Sequence, residues 1–344
     1  MARVPKSASK LAFPLKKQSV WGTRLINASL TKFITLQQPL IPKPNLEFWT
    51  DTGEVGKGHN WETGRGLLAR HVECEIPVQP LPDFAMGVLI GLFFSNTTPA
   101  ASTGAEGYTH TSSFTAPETL DAALFTSLAF AEDVTDFALE DMAVSEITIR
   151  GDGNKRLEMG AKLIATKIEE LSAYTWPDAA TLYYLHNYSG AFEIASASKL
   201  TQLRGFELTM RNGISAELAF QKAATEAARQ YPSSWPFTPQ REVSLTLDIE
   251  AEQGDLTLFR AAQEAFTEQE YVISCLGAML SSVEPRSLLI TMPKGVIDDI
   301  EQDFGSGDRL RLKLKIAPHY DDTLEGPIEL AITTLDAAYL TAEA

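Results

Sequence analysis

The stretch Ala69 to Phe94, ARHVECEIPVQPLPDFAMGVLIGLFF, constrains the fold of this chain more than any other. Its first part alternates apolar and polar side chains, and after a proline-marked break it becomes a compact apolar run, so it reads as a strand followed by a helix. The same order returns in Gln240 to Thr267, QREVSLTLDIEAEQGDLTLFRAAQEAFT, where Leu256, Phe259, Ala262 and Phe266 recur at helical spacing and predict a core-facing stripe. One structural unit used twice accounts for both stretches.

A chain of 344 residues has room for two ordinary domains, and 44% hydrophobic with 22% charged residues is the composition of a globular protein. The expected division is a basic N-terminal arm over residues 1–20, a first unit over 21–175 and a second over 176–344. There are 45 acidic against 29 basic side chains, and the formal net charge of -16 repels polyanions, which disfavours a nucleic-acid clamp. Cys74 and Cys275 have neither C-x-x-C spacing nor histidine company, so two buried thiols are expected rather than a disulfide or a zinc site. The basic N-terminus has no continuous apolar stretch, so no secretory signal is expected. The longest apolar run, Phe84 to Phe94, falls short of the roughly 20 residues of a membrane span. These features place the chain in a cytoplasm and away from membranes.

Leu25 to Leu36 alternates as a strand, and Pro42 to Gly66 reads as a long connection whose Trp49 and Trp61 favour a docking role. Pro99 to Gly107 reads as a linker; His110 to Pro117 and Leu124 to Phe130 read as short strands. SEITIR, Ser145 to Arg150, and LEMGAKLIAT, Leu157 to Thr166, form a hairpin around the turn residues GDGN, with one buried and one wet face. In the second half, Ile194 to Met210 echoes INASLTKFITL, and a loop from Gln221 to Gln240 carries Trp235 and Phe237. Further strands are predicted at Tyr271 to Cys275 and Ser287 to Met292. RLRLKLKI, Arg309 to Ile316, is expected to close a hairpin with LEGPIELAIT, Leu324 to Thr333, which matches LEMGAKLIAT by eye.

No constellation resembles a set of catalytic groups, and no cofactor is implied. The five histidines lack metal-ligand spacing, and GDGN is explained by a β-turn rather than a phosphate loop. The acidic run Asp298 to Asp303 lacks the spaced oxygen ligands of a calcium loop and reads as a solvated surface. The row Arg309, Arg311, Lys313 and Lys315 could touch phosphates, but Glu325 and Glu329 of the expected hairpin partner would satisfy it by cross-strand pairing.

Taken together, FPLKKQSVWGTRL, HVECEIPVQPLPDFAMGVLIGLFF, HTSSFT and VSEITIRGDGNKRLEMGAKL in the first half, with GFELTMRNGISAEL, REVSLTLDIE and the terminal hairpin in the second, resemble a phage tail tube protein. The resemblance implies a non-enzymatic structural protein, mainly β with flanking helices (α+β), made of two tandem β-sandwich or half-barrel units with one helix each. In that family, hairpins of neighbouring subunits join into an inner β-barrel, six units make a ring, and stacked rings form the tube through which double-stranded DNA leaves the virion. Two units per chain imply rings of three chains, with six as the alternative. Implied partners are other copies of the chain and the tape-measure, tail terminator and baseplate proteins, with DNA passing unbound and assembly in the host cytoplasm ending in the virion tail. Lumen-facing candidates are Glu146, Thr148, Arg150, Glu158 and Lys162 in the first unit and Glu207, Thr209, Arg211 and Glu217 in the second. Trp49, Trp61, Trp235 and Phe237 are candidates for contacts between stacked rings. A tube protein of a contractile particle and a carbohydrate-binding β-sandwich with exposed tryptophans are the alternative functions.

Overall fold

The structure is a computed structural model that describes residues 10–14, 16–18, 21, 30–38, 40, 42–51, 64–95, 99–101, 107–114, 124–132, 135–153, 155–171, 174–177, 181–186, 191–199, 201–214, 235, 241–281, 284–304, 310–337 and 340–342. It is mainly β with flanking helices, built on one large, open, antiparallel sheet.

In the first half, β1 (Lys10–Pro14) is followed by β2 (Lys16–Lys17) and pairs with β3 (Leu30–Thr35). The strand β4 (Lys43–Asp51) pairs with β5 (Gly64–Pro80), which leads into α1 (Asp83–Phe94). After β6 (Pro99–Ala101) and β7 (Tyr108–Ser113), β8 (Thr126–Glu132) pairs with β1 and with the first half of β9 (Thr135–Asp152). The second half of β9 pairs with β10 (Glu158–Ala165), β10 returns to β5, and β11 (Lys167–Leu171) closes back on the start of β9.

The second half follows the same plan. Strand β12 (Phe192–Ile194) pairs with β13 (Ala197–Ser198), and β14 (Leu203–Arg211) pairs with β15 (Glu242–Glu250), which leads into α2 (Asp255–Glu264). Strand β16 (Gln269–Met279) pairs with β12 and with the start of β17 (Pro285–Phe304). The end of β17 pairs with β18 (Leu310–Pro318), β18 returns to β15, and β19 (Glu329–Thr334) lies on the start of β17. A short β20 (Thr341–Ala342) runs parallel to β2. Even a bulge recurs: Ser145 is the extra residue between Val144 and Glu146, and Asp298 is the extra residue between Ile297 and Asp299. Arg150 faces Glu158 and Asp303 faces Arg311, so corresponding rungs of the two hairpins span the same number of residues.

Pairing of β9 with β14 fuses the two halves into a single sheet in the order β4-β5-β10-β9-β14-β15-β18-β17. Alternation puts Ile147, Ile149, Leu208, Met210, Leu245, Leu247, Leu312 and Leu314 on one face, where all are buried. Helix α1 packs against β9 and is buried on every side, as an all-apolar helix must be. Helix α2 buries only Asp255, Phe259 and Ala262.

Several expectations are corrected. Residues 10–14, 16 and 17 are strand rather than mobile arm, and Gln18 is buried with its amide donating to Asp141. The expected connection from Pro42 contains β4, because Lys43 to Asp51 finds a partner along β5. Leu25 to Leu36 is strand only from Leu30 to Thr35 among its described residues, and Pro99 to Gly107 includes the short β6. Phe266 is outside α2 at φ 49 and is 78% exposed, so it leaves the expected core stripe. The terminal hairpin is β17 with β18, whereas β19 pairs with β17 and β7; LEMGAKLIAT therefore corresponds to β18. The sheet does not close into a barrel within one chain: among the described residues β4 pairs only with β5, and the end of β17 only with β18.

Candidate functional site

The second face of the eight-stranded sheet is polar and turned to solvent. Because antiparallel partners share a face, the register lays its side chains out in rows that cross the strands. One row runs Glu75, Lys162, Glu146, Arg211, Glu242, alternating in sign across five strands. The next, Gly160, Thr148, Thr209, Ser244, is neutral. A third runs Glu158, Arg150, Glu207, Thr246, Lys315, Asp299, and two shorter rows set Lys313 between Asp248 and Glu301 and Arg311 between Glu250 and Asp303. Every basic position in these rows stands opposite at least one acidic position, and acids outnumber bases in each charged row.

The ion pairs follow the rows. Glu146 lies between Lys162 at 3.0 Å and Arg211 at 2.8 Å, and Arg211 reaches Glu242 at 3.1 Å. Arg150 meets Glu207 at 2.7 Å across the join between the halves. Lys315 bridges Asp299 at 3.2 Å and Glu301 at 3.1 Å. Exposed pairs of this kind contribute little individually, about 0–1 kcal/mol. Their larger effect is to leave each cation with a carboxylate beside it.

Glu146 is the most enclosed member. Burial pushes its carboxyl up, but the hydrogen bonds and charges of Lys162 and Arg211 outweigh this and hold it below the ordinary value of 4.5. A depressed native pKa contributes stability that is fully present above the unfolded value and is lost as pH falls through the native one. Glu146→Gln is therefore expected to cost about 1 kcal/mol at neutral pH. The gap between the wild-type and variant melting curves should close as pH drops below 4.5; a gap independent of pH would show that the charge is immaterial.

A shallow cleft of about 330 Å³ lies on this face around Gly205, between Arg150, Glu207, Asp248 and Lys313. Gly205 has no room for a side chain there: a Cβ at Gly205 would lie 2.9 Å from the Gly151 carbonyl oxygen. Among the described residues no cluster of His, Cys, Asp and Glu could hold a metal ion. Burial pushes the thiols of Cys74 and Cys275 up to about 12, so neither is a thiolate at neutral pH. No described helix is long and apolar enough to cross a membrane.

Of the residues singled out in the sequence, Glu146, Thr148, Arg150, Glu158, Lys162, Glu207, Thr209 and Arg211 are brought together on this one face. Glu217, Trp61 and Phe237 lie outside the described residues, as does the side chain of Trp49, whose backbone in β4 faces Gly66. Trp235 is corrected: it is fully buried, its Nε1–H donates to the Asp141 carbonyl, and its ring meets Trp21 edge-on at 5.7 Å. An indole enclosed in its own chain cannot serve as an exposed ring contact. Of the basic row, Arg309 lies outside the described residues, Lys315 pairs with Asp299 and Glu301, and Lys313 and Arg311 stand opposite Asp248 and Glu301 and opposite Glu250 and Asp303, instead of Glu325 and Glu329. Those acids belong to the face; the ones on β17 were hidden in the sequence by the bulge at Asp298, which shifts the alternation of IDDIEQDF by one residue. No family model matches the sequence, and no curated protein matches it significantly.

Proposed function

We propose that this chain is the structural subunit of a phage tail tube: copies join side by side into rings, the rings stack, and the charged sheet face lines the channel. The observation that carries the reading is an eight-stranded sheet whose two edges are open among the described residues, with one solvent-turned face on which every cation of the charged rows stands opposite a carboxylate. A wall of this kind suits a channel for DNA, because a polyanion meets an acid-rich surface with no row of unopposed cations and slides without binding. Joining the open edges between copies would also remove the unpaired strand groups that an isolated sheet exposes.

Two repeats of the same strand plan in one chain favour three copies per ring, which then contains six repeats. Tape-measure, terminator and baseplate proteins follow as partners from the family resemblance alone. The carbohydrate-binding alternative relied on exposed tryptophans, and Trp235 offers no sugar platform.

Electron microscopy of the purified chain at rising concentration tests the reading. Rings with a central channel and the mass of three 37.7 kDa chains are expected. A strictly monomeric species at high concentration, with and without other tail proteins, would overturn it.

A further inference from the structure

The internal join between β9 and β14 defines what the two open edges can do with each other. Strand β17 repeats β9, bulge included, and β4 repeats β14. The correspondence can be made residue by residue. Lys162 faces Glu75 and Lys315 faces Thr246; two residues back along each strand, Glu73 faces Lys43 and Ser244 faces Thr209. Lys43 thus occupies the place of Thr209, Pro44 that of Met210 and Pro42 that of Leu208. On the other edge, Asp299, Ile300, Glu301 and Gln302 occupy the places of Glu146, Ile147, Thr148 and Ile149.

At the internal join the Asn212 N–H donates to the Ser145 carbonyl at 3.1 Å, and the Gly153 N–H donates to the Arg204 carbonyl at 2.9 Å. Antiparallel bonding alternates, so Leu208 with Ile149 and Met210 with Ile147 are the pairs that exchange both main-chain bonds. The residues in their places on the open β4 edge are both prolines, which have a carbonyl but no N–H. At these two rungs the edge can accept from Ile300 and Gln302 and can donate nothing back. At Asp298, the counterpart of Ser145, the carbonyl already accepts from the Gln263 side chain at 2.8 Å, so an N–H from Leu46, the counterpart of Asn212, would have to share that oxygen.

Resting on the ring reading above, we propose that the end of β17 in one copy adds to β4 of a second copy in the register of the internal β9–β14 join. We further propose that Pro42 and Pro44 are what keep free copies apart, by removing from this junction the two N–H donors that the internal join has at Leu208 and Met210. Side chains agree with the register. Glu301 falls opposite Lys43 of the second copy where Thr148 faces Thr209 internally. Asp299 falls opposite Asn45 where Glu146 faces Arg211. Pro44 and Leu46 are exposed, with Leu46 at 47%, whereas Met210 at the covered internal join is at 0%.

The test is sedimentation velocity across a concentration series, with thermal melts to confirm that each variant is folded. Pro42→Val/Pro44→Val restores two donors and is expected to associate at a concentration at least roughly tenfold below that of the wild type. Lys43→Glu alone should raise the wild-type threshold, and adding Glu301→Lys should bring it back down. If the folded proline variant associates no more readily than the wild type while the wild type forms rings, the role of the prolines falls and the ring reading survives. If the charge reversal is without effect, the register falls. If no form associates at any concentration, both the junction and the ring reading fall.

Discussion

Asp83→Ala is expected to destabilise the chain by about 3–5 kcal/mol, because it strands a buried guanidinium. Asp83 opens α1 in the first half and Arg286 lies at the start of β17 in the second, and their side chains form an ion pair with only 2% and 5% exposure. The Arg286 guanidinium also lies 3.8 Å from the ring centre of Tyr183, and the Tyr183 carbonyl accepts from the Asp83 N–H at 3.0 Å. One cluster therefore ties the first helix, the segment between the halves and the longest strand of the second half. Burial raises the Asp83 carboxyl above its usual range even though Arg286 opposes the shift, so desolvation outweighs attraction at this carboxyl. It follows that replacing both residues with apolar ones of similar size should cost less than either single change. Denaturant midpoints of the two single variants and the double variant measure this, and a cost below about 1 kcal/mol for Asp83→Ala would contradict a structural role for the pair.

Trp235→Ala is expected to cost about 3–5 kcal/mol, the range for emptying an aromatic-sized site in a core. The ring fills a cluster with Ala143, Ile164, Trp21, Phe125 and Ile214, and its Nε1–H donates to the main chain of Asp141. The Asp141 carboxylate is buried too, accepting from Gln18 and from the Thr166 hydroxyl at 2.8 Å, while the Gln18 amide oxygen accepts from Ser127 at 3.0 Å. Trp235→Phe keeps most of the volume and leaves the Asp141 carbonyl without the indole donor, so a smaller cost of about 1–3 kcal/mol is expected. Thermal melts of the monomer separate this from the ring-contact role inferred from sequence. A contact made only between stacked rings would leave the monomer's melting curve unchanged on Trp235→Ala.

The β9–β10 hairpin was legible in its details. The alternation of SEITIR and LEMGAKLIAT assigns Ile147, Ile149, Met159 and Ala161 to the core and Glu146, Arg150 and Lys162 to the wet face, and the register agrees. The repeated strand-to-helix unit was equally legible, since β5–α1 and β15–α2 occupy the same place in the two halves. The partner of β18 was not legible. LEGPIELAIT and IDDIEQDF both offer a return strand to RLRLKLKI, and the second was disguised by its bulge. Strand β4 was obscured in another way, because three prolines between Pro39 and Pro44 are stop signals for a central strand yet acceptable on an edge.

Where no bulge interrupts a strand, sequence by itself determined which side chains share a face, because that alternation is a property of the backbone within a few residues. It also determined that α1, apolar on every side, must be enclosed. Only the tertiary structure decided which strands lie side by side, and hence that Arg150 meets Glu207, that β18 finds its acids on β15 and β17, and that Asp83 meets Arg286. Those pairings join residues far apart in the chain. Each depends on how the whole core closes, which no local period encodes.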